Sequence, residues 1–277
     1  MRITAERRFS GMKLRVLFLI FSAFTIILAG CEKKVDPDEP KPLVVGMELS
    51  YPPFEMRDTS NQPDGISVRM AEDLGKMLGR PVEIEDVAWD GIIPALKSGK
   101  IDLIISSMTR TVEREQVIDF SDGYVTNGLC MLVAKDSDIE SVDDLSESGG
   151  KVAVKLATTG HQWAMGHLEG VELVTLDEAA TCVLEVVQKK ADAFIYDQIS
   201  IYQHWKNNQD TTRPILKPIR EETWAIGIKK GNDVLKAEVN SFLKQYREDG
   251  KFDKLAERYM AEEKKAFQEM GVPFIFH

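Results

Sequence analysis

The chain has 277 residues, of which 43% are hydrophobic, 29% charged and 8% aromatic. That balance excludes a disordered chain, and the length suits two lobes of ordinary size or one domain with attachments. With 45 acidic against 35 basic residues the net charge is −10, a field that offers nothing for wrapping nucleic acid.

The first thirty residues differ from the rest: Arg2, Arg7, Arg8, Lys13 and Arg15 against Glu6 give them +4, leaving −14 on the remainder. Val16 to Gly30 reads VLFLIFSAFTIILAG, uncharged, too short for a comfortable bilayer span and right for the apolar region of a secretory signal. Its end, Leu28-Ala29-Gly30-Cys31, resembles the lipobox of bacterial lipoproteins, which implies a lipoprotein signal peptide over 1–30 and a lipid anchor on Cys31. Met12 opens a second signal-like start, MKLRVLFLIFSAF, and the choice between Met1 and Met12 stays open. Glu32 after the anchor cysteine hints at outer-membrane sorting without deciding between membranes. Residues 31–42 contain Pro37, Pro40 and Pro42 among alternating charges and read as an extended tether.

From Leu43 onward, strand-like runs alternate with helical patterns, the signature of parallel α/β architecture. The strand candidates are LVVGMEL from Leu43, VEIEDV from Val82, IDLIISSM from Ile101, GLCMLVAK from Gly128, KVAVKLA from Lys151, VELVTL from Val171 and ADAFIYD from Ala191. Helical spacing of apolar residues marks Ser67 to Leu78, Gly91 to Lys97, His161 to Leu168 and Glu178 to Lys189. A last helix from Asn232 aligns Leu235, Val239, Phe242, Leu243 and Tyr246 and stops at Gly250. After Met260 only a short charged helix and GVPFIFH are expected.

In open α/β sheets ligands sit beyond the carboxyl ends of the strands, where helix N-termini and free backbone groups converge. Three strands end in suitable groups. IDLIIS delivers Ser106, Ser107 and Thr109, followed by Arg114; KVAVKLA delivers Thr158, Thr159 and Gly160 to a helix start; ADAFIYD ends in Asp197. Arg114 suits a carboxylate held bidentately, and Asp197 an ammonium, so together they fit a zwitterion such as an α-amino acid. Each has a plainer reading: a surface ion pair for Arg114 with Glu113 or Glu115, and helix caps for Thr158, Thr159 and Asp197.

Five motifs then stand in register: Ser50-Tyr51-Pro52-Pro53-Phe54-Glu55; Trp89-Asp90-Gly91-Ile92-Ile93-Pro94-Ala95-Leu96 with Gly99-Lys100 and Asp102; Met108-Thr109 with Thr111 and Glu113-Arg114; Asp119-Phe120-Ser121; and Ala191-Asp192-Ala193 with Asp197. From about Leu43 to Met260 the chain resembles the polar amino-acid family of periplasmic solute-binding proteins, bacterial extracellular solute-binding family 3. The resemblance implies a type II periplasmic binding protein fold of two α/β lobes joined by two hinge strands. It places lobe 1 at 43–127 and 223–277 and lobe 2 at 128–222, with crossovers near Tyr124–Gly128 and Glu222–Gly227. It also implies a monomer, lipid-anchored on the periplasmic or outer face of the membrane, that passes an amino acid to an ABC permease without a cofactor and without catalysis.

Carried over residue by residue, the resemblance puts the ligand side chain between Tyr51 and Trp89. It puts the α-carboxylate on Ser107, Thr109 and Arg114 with Thr159 and neighbouring Thr158, the α-ammonium on Asp197, and an acidic contact at Glu48. Two positions depart from the family pattern. Ala157 stands where glycine is usual, adding a methyl near the ligand, and Arg110 replaces an apolar residue on the face turned away from Thr109. The same fold serves cyclohexadienyl (arogenate) dehydratases, for which Glu48 is the candidate acid, and the ligand-sensing subunits of signalling systems. Cys130 and Cys182 both fall on apolar faces and read as reduced core thiols, with a disulfide left open. His161 and His167 lack same-face spacing and acidic partners, so no metal site is expected.

Overall fold

The computed structural model describes residues 40–276. The proposed signal peptide, the Cys31 anchor and the tether as far as Glu39 lie outside the described residues. In chain order the elements are β1 (Leu43–Met47), β2 (Met56–Arg57), β3 (Pro63–Asp64), α1 (Ile66–Leu78), β4 (Val82–Asp86), α2 (Trp89–Ser98), β5 (Leu103–Ile104), α3 (Val112–Glu115) and β6 (Asp119–Ala134). They continue with α4 (Val142–Ser148), β7 (Lys151–Lys155), α5 (Thr159–His167), β8 (Glu172–Leu176), α6 (Ala179–Val187), β9 (Ala193–Asp197), α7 (Gln198–Asn207), β10 (Thr212–Ile228), α8 (Asp233–Glu248), α9 (Lys251–Tyr259) and α10 (Ala261–Glu269).

The main sheet runs β4-β1-β5-β10-β6-β9-β7-β8. It is mixed rather than parallel throughout. β1 pairs in parallel with β4 and β5, and β7 with β8 and β9, whereas β6 and β10 run antiparallel to each other and to their neighbours β9 and β5. These two long strands pass through the middle of the sheet. One lobe hangs on the β5 side and the other on the β9 side, and the facing pairs Glu222↔Asn127, Thr223↔Thr126 and Trp224↔Val125 lie between them. The register of β10 slips between Ile215 and Arg220, the stretch that contains Pro218, a residue with no N–H to give the ladder.

The helices follow the apolar spacing. α1 buries Ile66, Met70, Ala71 and Leu74 and ends at Gly79, whose φ of 64° supplies the left-handed terminus; α8 buries the predicted stripe Leu235, Val239, Phe242, Leu243 and Tyr246. Val154, Trp163, Ala164 and Ile195 belong to a core within the second lobe, and Ile92, Leu96, Ile104 and Phe120 to one within the first. The C-terminal segment is not idle: the Ile275 carbonyl accepts from the Thr126 N–H of a hinge strand at 3.0 Å, and Phe276 stacks on Phe252. Cys130 and Cys182 are buried and free.

Candidate functional site

The carboxyl ends of β1, β5, β7 and β9 converge on one small, largely enclosed cavity. Glu48, Tyr51, Trp89, Ser107, Thr109, Arg114, Thr158, Thr159 and Asp197 all line it, and so do Glu55, Ser106 and Tyr196. The structure therefore brings together every residue singled out for ligand binding.

Three residues past the end of β5, Ser107 takes φ +48°, a left-handed conformation that turns the chain along the cleft. The Ser106 hydroxyl accepts from the Glu48 N–H at 3.0 Å. The Ser107 hydroxyl is buried beside the Glu55 carboxyl. Arg114 is only 5% exposed and makes no ion pair with Glu113 or Glu115. Its guanidinium donates to the Thr109 carbonyl at 2.7 Å and the Ala157 carbonyl at 3.3 Å, and lies 5.3 Å from the Trp89 ring centre. Burial pulls its pKa down to about 10 against the opposing charges of Glu222 and Asp197, so it remains a cation at neutral pH. Arg110, by contrast, pairs with Glu115 on the surface.

Asp197 sits at the N-cap position of α7 yet makes no cap bond. Its carboxyl turns into the cavity, accepting from the Tyr51 hydroxyl at 3.1 Å and the Asn127 amide at 2.8 Å. Burial, reinforced by the charge of Glu222, pushes its pKa up to about 8. The Tyr51 ring packs edge-on against Tyr196 and Trp224. Trp89, at the start of α2, donates its indole N–H to the Ala157 carbonyl at 3.2 Å. Ala157 holds φ +60°, the conformation for which glycine is the usual residue, and in that pose its carbonyl meets both Trp89 and Arg114 from the opposite lobe.

Thr158 caps α5, accepting from the His161 N–H at 3.3 Å. Thr159 donates instead to Glu222 Oε2 at 2.8 Å, as does Thr109 from the other lobe. Glu222 Oε1 accepts from Arg220 at 2.5 Å. Glu48 forms a buried ion pair with Lys155 of the second lobe, and burial raises the Glu48 pKa even so. Glu55 is buried beside Ser67, whose hydroxyl donates to it at 2.5 Å, and burial pushes it up to about 8.

Sequence reasoning missed Lys155, Glu222, Glu55 and Asn127. Lys155 was detectable as a lysine on the same strand face as the apolar Ala153. Glu222 had no signal, because Arg220-Glu221-Glu222 reads as a solvated run. Among the described residues no group of His, Cys, Asp and Glu is disposed to hold a metal ion.

The family model described as bacterial extracellular solute-binding proteins, family 3, matches residues 43–262. The L-cystine-binding protein TcyJ of Escherichia coli (strain K12) is 30% identical over 219 residues, 78% of this chain and 82% of that protein. The arginine-binding extracellular protein ArtP of Bacillus subtilis (strain 168) is 30% identical over 259 residues, 91% of this chain and all of that protein. Among solved structures, the ancestral amino acid-binding protein AncCDT-1, a precursor of cyclohexadienyl dehydratase, superposes with a TM-score of 0.73 at 38% identity, covering 79% of this chain and 95% of that one.

Proposed function

We propose, from the premise that this chain belongs to the bacterial extracellular solute-binding proteins of family 3, that it captures an amino acid between its two lobes and presents the closed form to an ABC permease. The observation that carries the reading is the convergence of Arg114 and Asp197 on one enclosed cavity. A guanidinium and a carboxyl fixed in one small space match the two charges that every α-amino acid carries, whatever its side chain. In this reading Arg114 with Ser107, Thr109, Thr158 and Thr159 receives the α-carboxylate, Asp197 the α-ammonium, and Tyr51, Trp89 and Glu48 the side chain. Closure follows from ligand contacts made to both lobes, because only the closed form offers all of them at once. The lobes are taken as 43–127 with 223–277, and 128–222. Lipidation of Cys31 ties the protein to the outer face of a membrane beside its permease.

Catalysis on this scaffold needs a cavity acid that holds a proton near neutral pH, and Glu55, at about 8, is one. We favour binding over turnover because Asp197 keeps an amine-pairing position and Glu55 is already engaged by Ser67. The test uses protein unfolded and refolded to strip carried ligand, screened by thermal shift and calorimetry against the twenty amino acids, with prephenate and arogenate turnover assayed in parallel. One or more amino acids bind, and Arg114→Ala weakens that binding by about a hundredfold or more with the unfolding transition retained. Unchanged affinity in Arg114→Ala, or turnover, overturns the reading.

A further inference from the structure

The strand β10 contributes a carboxylate that neither the capture scheme nor the motifs use. The Glu222 side chain is 1% exposed. One oxygen accepts from Thr109 of the first lobe and Thr159 of the second, both at 2.8 Å, and the other is held by Arg220. These two hydroxyls are the ones assigned above to the ligand's α-carboxylate. Arg114, whose fork binds the Thr109 and Ala157 carbonyls, feels the Glu222 charge more strongly than that of any other acid. Thr109 lines both the enclosed cavity and an exterior groove that also includes Arg220 and Glu222, so Glu222 meets Thr109 from the side of the groove.

We infer that Glu222 is a resident carboxylate that occupies the hydroxyl donors of the anion subsite, bridges the lobes through them, and sets how strongly the cleft prefers ligands bearing a carboxylate. The inference rests on the amino-acid reading for its ligand and on geometry alone for the bridge. Two carboxylates competing for the same donors repel at close range. An incoming α-carboxylate must take the hydroxyls from Glu222 and tolerate its charge, while an amino acid amide meets no such repulsion. Arg220 is the counterweight: it holds Glu222 by the oxygen away from the threonines, and without it Glu222 leans its full charge on the ligand's guanidinium partner, Arg114.

The experiment compares wild type, Glu222→Gln and Arg220→Gln, each refolded free of ligand, against the twenty amino acids and their C-terminal amides by calorimetry, with small-angle scattering of the ligand-free proteins. Glu222→Gln keeps the size but removes the charge and one acceptor, so its amide oxygen serves either the two threonines or Arg220 and not both. It is expected to tighten binding of the amino acid by about tenfold, to raise the amino acid to amide affinity ratio by a similar factor, and to expand the ligand-free protein. Arg220→Gln is expected to weaken amino acid binding while leaving the amide unaffected. Equal or weaker amino acid binding in Glu222→Gln, or an unchanged ratio, overturns the inference. A cleft that binds no amino acid in any variant rejects the capture reading instead, and the scattering then decides the bridge alone: identical ligand-free profiles for wild type and Glu222→Gln reject it.

Discussion

A carboxyl buried at the end of β9 loses solvation that the Tyr51 hydroxyl and the Asn127 amide only partly replace. Asp197 therefore holds a proton up to about pH 8 in the closed cleft, among the charges of Glu222, Arg114 and Lys155. The sign follows from which form binds the proton. A carboxyl raised from 3.8 to about 8 favours the closed cleft at low pH, and that advantage is lost progressively as pH rises from the ordinary carboxylate range to about 8. A bound ammonium returns the group to its ionised state, so capture releases a proton across the same window. Affinity should rise between pH 5 and 8, by up to about tenfold per pH unit, and level off above. Calorimetry at pH 7 in buffers of different ionisation enthalpy should register release approaching one proton. Heats independent of buffer, or an affinity flat from pH 5 to 8, would show that Asp197 does not pair with the ligand ammonium.

At the scale of elements, the turn from β7 into α5 does the most to build the cleft. Ala157 at φ +60° carries a left-handed strain of about 1–2 kcal/mol for an L residue, held in place by a carbonyl that Trp89 and Arg114 both address. Ala157→Gly should thus raise unfolding stability by about 0.5–1 kcal/mol, after the entropy that glycine adds to the unfolded chain. Gly160→Ala three residues on should lower it, because the new methyl would meet the Ile195 carbonyl oxygen at 2.7 Å. Urea titration checks both, and destabilisation by Ala157→Gly would contradict the strain argument. The same turn shows what the sequence made legible. β7, β9 and α5 announce themselves by apolar runs or helical spacing and by turn residues, since they are buried in a regular way. β10 does not: Thr212 to Ile228 includes Pro214, Pro218 and the charged run Arg220-Glu221-Glu222, and many of its residues are exposed, so no alternation survives. After Met260 the charged helix is legible, whereas the burial of Phe267 and Ile275 against other elements is not, because it follows no local pattern.

For the whole molecule, the contacts spanning the cleft include Tyr51 and Asn127 with Asp197, Trp89 with Ala157, Arg114 with Ala157, Glu222 between its two threonines, and Glu48 with Lys155. The last is the most demanding. In an open molecule both ions are hydrated; closure strips that water, with Lys155 left 3% and Glu48 11% exposed at the side chain, and their mutual attraction roughly offsets the loss. Removing one partner upsets that balance, since a lone buried charge costs about 3–5 kcal/mol. A hinged molecule has an escape that a rigid core lacks: it can stay open and keep the orphaned ion in water. Lys155→Met should therefore leave folding stability nearly intact while disfavouring closure, so that the scattering envelope of the ligand-bound variant stays expanded where that of ligand-bound wild type is contracted. Adding Glu48→Gln to Lys155→Met removes the orphaned charge and should restore most of the contraction. If the single variant closes as fully as wild type, the buried pair does not govern closure. If the double variant stays as open as the single, Lys155 acts by contact rather than by charge.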